Sequence, residues 1–415
     1  MITNNKVLFR LLFSFVILLA IPFPFDRIPQ LEFIEIFVLD IYQHIVPWIG
    51  DNILNLEKSV ETQQNGSGDK TYDYVLLLFL FVVAISITIV WSILARKEES
   101  YWKLNYWLLV VARYSLGATM IYYGLFKILP LQFGELAFWR MLQPYGESSP
   151  MGLAWTFFGY SKGYNLLIGL SEFIGGILLF NRKTRLLGGL ILIPVTVNIV
   201  AVNIFYDVPV KLFSIQLLLL AILVVLPDVK RLLNLMILNK PTQSIDFQRP
   251  FKSKEWNIAS NLIKYAFVLF LLYDSIDYTR KLYLTREEKP ALYGLYEVKS
   301  FVRNQDTIQP LLTDQKRWRY VFFEYPNSIQ FAKMDNSRYG LHAEVDTTNQ
   351  KIKLTEFRDT TQVYYLNFSK TESTLNINGV FRNDTIYCES KRLDKSNFLL
   401  TSRGYNWINE YPFNR

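Results

Sequence analysis

The sequence predicts an α-helical polytopic membrane bundle of about seven spans, followed by a C-terminal all-β domain of barrel or sandwich type. Three observations lead there. Of the 415 residues 51% are hydrophobic, and before residue 280 they sit in dense blocks. From about residue 290 apolar side chains recur at every second position instead. Basic residues concentrate in alternate connecting segments.

Seven blocks reach or approach the length of about 18 apolar residues that crosses a hydrocarbon core of roughly 30 Å. They are 6–25, 74–95, 106–128, 164–181, 186–205, 211–227 and 257–278. The last contains Lys264, Asp274 and Asp277, near its ends, where long side chains reach the interface. Lys6 and Arg10 precede the first apolar run, but no small-x-small cleavage site follows it. It reads as an uncleaved anchor rather than a signal peptide.

Residues 26–73 are too polar to span. Phe33, Ile34, Phe37, Val38, Ile41, Tyr42, Ile45 and Val46 recur at helical spacing within them. That pattern predicts an amphipathic helix lying on the membrane or over the bundle. The run Asn65-Gly66-Ser67-Gly68-Asp69-Lys70 predicts a turn into the second span.

Orientation follows from loop charge. Segments 1–10, 96–105, 181–186 and 229–256 hold fourteen Lys and Arg, among them Arg96, Lys97 and Arg249; segments 26–73, 129–163 and 206–211 hold six. The first set is expected in the cytoplasm of a bacterial cell. The N-terminus is then inside and the C-terminal domain external or periplasmic. The net charge of +8 is largely this topology signal. Its Lys and Arg are scattered and no binding motif accompanies them, so nucleic acid is not expected as a partner. The lipid bilayer is.

Scarce residues exclude several chemistries. Cys388 is the one cysteine, so there is no intrachain disulfide and no C-x-x-C pair. A small buried strand residue is expected there. His44 and His342 both lie outside the hydrophobic blocks, so no helix pair offers two histidines to a haem. No zinc or iron–sulfur spacing, Walker loop or dinucleotide fingerprint occurs. No tightly bound cofactor and no metal are expected. Any redox role would pass through a partner or a diffusible quinone.

Charges at bilayer depth are costly and usually face the bundle interior. The third block contains Arg113, Tyr114, Tyr122, Tyr123 and Lys127, and the fourth Glu172. The fifth has Thr196, Asn198 and Asn203, and the sixth Lys211, Ser214 and Gln216. A rise of 1.5 Å per residue places Glu172 and Asn198 roughly 10–13 Å below the external surface, with Lys127 and Asn203 near it. Arg113 lies about 20 Å down. Arg113 and Glu172 are thus either a structural ion pair or part of a site for a polar ligand or proton. Arg113, Tyr122, Lys127, Glu172, Asn198 and Asn203 form the candidate intramembrane polar cluster.

These residues also carry a resemblance. Arg113-Tyr-Ser-Leu-Gly117 with Tyr123-Gly124-Leu-Phe-Lys127, then Gly169-Leu-Ser-Glu172-Phe-Ile-Gly175-Gly176, resemble the first two core helices of the DoxX family. Asn198, Asn203, Asp207, Lys211 and the run to Leu226-Pro227-Asp228 are similar to the rest. The resemblance covers residues 106–230, a four-helix core. It implies a bacterial inner-membrane protein, an accessory or quinone-associated subunit of a complex with a membrane or envelope redox partner. Around that core this chain adds 1–105, with two spans and an external loop; 231–280, a cytoplasmic linker and last span; and 290–415, the external β domain.

In that last domain Tyr339, Leu341, Ala343 and Val345 alternate with polar residues, as do Ile352 with Leu354 and Leu375 with Ile377. The period marks eight or nine half-buried strands. Gly294-Leu-Tyr296 at the entry faintly resembles the start of a lipocalin-like barrel, and residues 398–410 are expected as a last strand and plug tail. Two further functions compete with the redox reading. One is a membrane-anchored ligand-binding or assembly module of the envelope; the other is a small-solute carrier. The sequence names no substrate.

Overall fold

The long apolar runs fold as helices, and the computed structural model describes residues 5–63, 65–95, 100–242, 244 and 251–414. Arg96, Lys97 and Arg249 lie outside the described residues. The helices are α1 (Lys6–Ala20), α2 (Glu32–Asn52), α3 (Thr71–Leu94), α4 (Trp102–Ile128), α5 (Phe138–Leu142), α6 (Pro150–Tyr160), α7 (Lys162–Phe180), α8 (Arg185–Phe205), α9 (Lys211–Val225), α10 (Val229–Met236) and α11 (Lys254–Glu287). They divide between two compact units. Residues 1–133 and 150–280 form a helical bundle; residues 134–149 and 281–415 form a β unit.

Seven helical segments among the described residues are long and apolar enough to cross a bilayer: α2, α3, α4, α7, α8, the run Lys211–Met236 and α11. Six coincide with expected blocks. The seventh does not. The block 6–25 becomes only the 15-residue α1, about 22 Å long at 1.5 Å per residue and short of a span. Pro22 and Pro24 cannot continue it. The segment read as a surface helix, α2, has the length instead. Only its last turns are covered, where Ile45, Val46 and Ile49 pack on Tyr72, Val75 and Leu76. Phe33, Ile36 and Phe37 are exposed.

Helix α1 runs antiparallel to α3. Phe9 stacks on Tyr101 at 5.1 Å, Phe13 meets Trp91 at 5.6 Å, and Phe15 meets Phe81 at 5.5 Å. Arg10 is buried there, donating to the Tyr101 hydroxyl and Ser92 Oγ at 2.8 Å and to the Ala95 carbonyl at 2.9 Å. The N-terminal end of α1, the C-terminal end of α3, the start of α4, the α7–α8 turn and the start of α11 therefore share one end of the bundle. Among the described residues, Lys6, Arg10, Lys103, Arg182, Lys183, Arg185 and Lys254 belong to these segments.

The closest crossing is that of antiparallel α4 and α7. Two glycine pairs, Gly117 with Gly176 and Gly124 with Gly169, let the backbones touch. A Cβ at Gly169 would lie 2.8 Å from the Gly124 carbonyl oxygen, and one at Gly176 2.9 Å from that of Gly117. Small residues at a crossing let two helix backbones approach this closely. Helix α8 joins in the same way, with Gly188 against the Gly175 carbonyl.

The β unit closes into an eight-stranded antiparallel barrel. Its strands are β1 (Gly294–Arg303), β2 (Asp306–Thr307), β3 (Trp318–Phe323), β4 (Ser328–Lys333), β5 (Arg338–Asp346), β6 (Lys351–Thr355), β7 (Val363–Lys370), β8 (Thr374–Phe381) and β9 (Asp384–Leu393). From β3 to β9 each strand pairs with the next, β1 pairs with both β3 and β9 to close the ring, and β2 is a two-residue flap on β1. Closure leaves only that flap as an edge. Inward residues fill the interior: Trp318, Phe331, Leu341, Leu354, Ile377 and Cys388 belong to one buried cluster. Burial pushes the Cys388 thiol up to about 12, so it is a packed strand residue and not a reactive thiolate.

Helix α5 belongs to this unit although its sequence lies among the bundle helices. Phe138 fills a pocket of Leu295, Phe322 and Ala332 on the barrel's outer face. Its N–H donates to Glu324 Oε1 at 2.8 Å. Burial raises the Glu324 pKa while that hydrogen bond pulls it down. The tail differs from expectation: after the short helix α12 (Leu399–Ser402) no strand forms, and Tyr405, Trp407 and Tyr411 are exposed.

Gly169→Val tests the α4–α7 crossing. The added atoms would enter backbone, so the full chain in detergent is expected to lose about 1–3 kcal/mol of stability or to misassemble. Unchanged melting would mean the helices stand further apart.

Candidate functional site

Beside the α4–α7 crossing at Gly124 and Gly169, α6, α8 and α9 complete the wall of a cavity of about 450 Å³. Its lining is largely apolar. Met120, Tyr123, Phe133, Trp155, Phe158, Val202, Phe213 and Leu217 face it. Two charged side chains stand in the wall. Lys127 Nζ donates to Glu172 Oε2 at 2.7 Å, with side-chain exposures of 7% and 1%. Among the described residues this is the carboxylate's one hydrogen bond. The ammonium also sits 5.6 Å from the centre of the Tyr123 ring.

Helix geometry explains the pairing. Side chains on an α-helix lean toward their own N-terminus. In an antiparallel pair, Lys127 on α4 leans toward the level of residue 121, and Glu172 on α7 leans the other way, toward Lys127. Gly169 leaves room for the lysine stem, whose Cβ would stand 2.9 Å from a Cβ there. Arg113, opposite Phe180, leans away from Glu172. Its Nε donates to the Leu109 carbonyl at 3.1 Å, one turn back on its own helix. The expected Arg113–Glu172 pair is therefore absent, and Lys127 holds the glutamate.

Asn198 and Asn203 line the same cavity, and Asn203 Nδ2 reaches the Val210 carbonyl at 3.4 Å. Tyr122 points elsewhere: its ring stacks on Tyr278 of α11 at 6.0 Å and meets Phe126 at a tilt at 4.6 Å. The fold thus gathers Lys127, Glu172, Asn198 and Asn203, and leaves out Arg113 and Tyr122.

Several wall residues were not anticipated. Pro194 within α8 faces the cavity and removes one backbone donor there. Gln132 contributes a buried Oε1 without a partner among the described residues. Phe133 stacks on Phe158 at 4.5 Å, and Asn165 Nδ2 holds the Phe133 carbonyl at 3.1 Å. The turn at residues 65–70 also takes part. Gly66 lines the cavity, and the Asp69 carboxylate accepts the first two N–H groups of α9, from Lys211 at 2.8 Å and Leu212 at 3.0 Å. That is an N-terminal helix cap supplied from far away in sequence. The Asn-Gly and Ser-Gly pairs signalled a turn, but nothing local says what a turn's carboxylate will cap.

An apolar chamber with one buried ion pair suits a small amphiphilic molecule. The apolar walls take its body, the ammonium donates to a carbonyl or hydroxyl oxygen, and the carboxylate accepts a proton. Fold and site together define a multi-helix protein of bilayer-length helices, with a ligand-sized cavity in the bundle and a barrel appended. The chain belongs to the family of the uncharacterized protein YwoB of Bacillus subtilis (strain 168), with which it is 33% identical over 126 residues, 30% of this chain and 78% of that protein. No protein-family model matches the chain, and no solved structure does.

A mutant cycle in detergent separates the two candidate partners of Glu172. Glu172→Gln should destabilise the full chain by about 3–5 kcal/mol, because Lys127 would be left buried and unpaired. The double change Lys127→Met with Glu172→Met should recover most of that loss. Arg113→Met with Glu172→Gln should be additive. Strong coupling to position 113 instead would refute the assignment.

Proposed function

We propose that this chain is an integral protein of the bacterial inner membrane that binds a small lipophilic molecule of the quinone class in the bundle cavity. We propose further that it serves as an accessory subunit of a redox-linked membrane complex. The observation behind this reading is the apolar cavity with the Lys127–Glu172 pair in its wall. A quinone head is a flat apolar ring bearing two acceptor oxygens. Lys127 offers those oxygens a donor. Glu172 beside it is a base for the proton that a quinol releases on oxidation, or an acid once protonated. Electrons would come from and go to a partner, since Cys388 is buried in the barrel and His44 and His342 lie outside the cavity wall. The resemblance of residues 106–230 to the DoxX family supports the same reading.

Membrane placement draws on the seven bilayer-length helices. With the basic segments gathered at one end of the bundle, the positive-inside tendency puts that end in the cytoplasm. The chain leaves α11 at the other end, so the barrel is external. A periplasm-dependent reporter fused after Arg415 is expected to be active; activity of a cytoplasm-dependent one would reverse the topology.

Ligand binding is measured on the full chain in detergent with a short-tail ubiquinone or menaquinone analogue, following the fluorescence of the tryptophans, of which Trp155 lines the cavity. Saturable quenching is expected. Lys127→Met and Glu172→Gln should each weaken it about tenfold or more, the worth of one charge-assisted hydrogen bond. Quenching that is unsaturable, or equal in both variants and the parent, would refute quinone as the ligand.

A further inference from the structure

The cavity reaches the outer surface of the bundle between two helices. On α7, Leu166, Leu167, Leu170, Ile174 and Ile177 are exposed and form one stripe, at steps of three and four residues. On α8, Leu187, Leu190, Pro194, Val197 and Ile204 form another. Three cavity-lining residues stand on or beside these stripes. Ser171 is half-buried and lies between Leu167 and Ile174, one turn away on either side. Pro194 and Asn198, one turn apart, are both exposed. Side chains that line an internal cavity and also belong to an outward face mark a place where the wall is open.

The opening has two limits. At one, α7 and α8 touch: a Cβ on Gly188 would lie 2.9 Å from the Gly175 carbonyl, and one on Gly175 2.6 Å from Leu192. At the other, α6 bridges the helices, with Trp155 and Phe158 packed in one cluster with Ile168 of α7 and Val202 of α8. From Gly175 to Ile168, or from Leu192 to Val202, the seam is roughly 10–15 Å long at 1.5 Å per residue. Its rim shows mostly carbon. Ser171 Oγ donates to the Leu167 carbonyl of its own helix at 2.9 Å, and Pro194 has no N–H. Val195 and Ile199 continue the wall inward, and Asn198 adds an amide. Such a slot admits a hydrocarbon chain and offers little to a hydrated solute. In a bilayer it opens on acyl chains.

We propose that the seam between α7 and α8 is a lateral passage from the bilayer into the cavity, and that the ligand carries a hydrocarbon tail that lies in it. The polar head then faces Lys127 and Glu172, and Asn198 stands where head and tail join. The ligand class narrows from a small lipophilic molecule to one with a chain, such as a prenylated quinone. The passage rests on the membrane placement of the bundle and on the cavity being a ligand site, as proposed above. It does not depend on the head being a quinone.

The test uses the full chain in phosphatidylcholine vesicles and two benzoquinones with the same head. One has no tail; the other has a decyl tail carrying a photoactivatable diazirine. Irradiation with the decyl compound is expected to leave adducts on Ser171, Pro194, Val197 or Asn198, read by mass spectrometry and lost with excess tail-free compound. Ser171→Trp fills the seam. It should weaken binding of the decyl compound about tenfold, the cost of overpacking one site, and leave the tail-free compound unchanged. Ile177→Trp, on the same exposed stripe beyond the Gly175 contact, should change neither. If Ser171→Trp does not fold, Pro194→Trp on the facing rim replaces it. Adducts confined to Gly66 and Val208–Val210 would send the tail out past the loops and overturn the proposal. Undiminished decyl binding in the seam variants, or equal weakening of both compounds, would overturn it as well. If neither compound binds the parent chain, the quinone reading falls, and a decyl diazirine without a head decides the passage. Adducts on Met120 or Leu217, buried in the cavity wall, that Ser171→Trp removes would uphold it; their absence would overturn it. A chain that does not sediment with membranes would overturn the membrane placement and the passage with it.

Discussion

Helices α4 and α7 touch backbone to backbone because Gly117, Gly124, Gly169 and Gly176 recur at seven-residue spacing on both, and much else in the bundle depends on that contact. It sets the antiparallel alignment of residue 117 with 176 and of 124 with 169. The alignment decides which charges meet. It brings Lys127 and Glu172 together over Gly169 and sends Arg113 the other way. In lipid, where apolar surface is no drive for helix association, close backbone packing and buried polar pairs take over that role. A side chain at any of the four glycines would push the helices apart and separate the pair.

The same crossing gives the bundle two ends of different character. At one, a chamber of apolar walls adjoins the crossing, closed by α6 and by a turn whose Asp69 caps α9. At the other, Arg185 and Arg231 share the Asp228 carboxylate. The pair Lys127–Glu172 is electrically balanced and adjoins a space that can receive a ligand.

The barrel is a separate solution to a separate problem. Its strands alternate because one face is buried, and closure of β1 on β9 satisfies the edges. The interior is filled with Trp318, Phe331 and their neighbours, and Phe138 is seated on the outer face of the same unit. Residues 134–149 leave the bundle just after Gln132 and Phe133 and return just before Met151, all three in the cavity wall. The cavity lining and the barrel are therefore joined through a covalent segment at both of its ends.

Sequence alone determined the parts governed by short-range periodicity. Long apolar runs gave six of the bilayer-length helices; period-two alternation gave the strands; the loop charges marked one end of the bundle. Each needs only the local geometry of a helix or strand and the cost of burying charge. It also singled out Lys127, Glu172, Asn198 and Asn203, since polar residues in apolar helices stand out one by one. What it left undecided was partnership. Counting depth by residue set Arg113 against Glu172, although the lean of side chains toward the helix N-terminus, known from chemistry alone, already points them apart once the helices are antiparallel neighbours. Tertiary structure decided that neighbourhood, and with it the Lys127–Glu172 pair, the reach of Asp69 to α9 and the loss of α5 to the barrel. It decided too that block 6–25 stops short of a span while α2 attains the length. These outcomes turn on which surfaces approach closely enough to exclude water or lipid, and that distance is set by contacts between segments far apart in the chain.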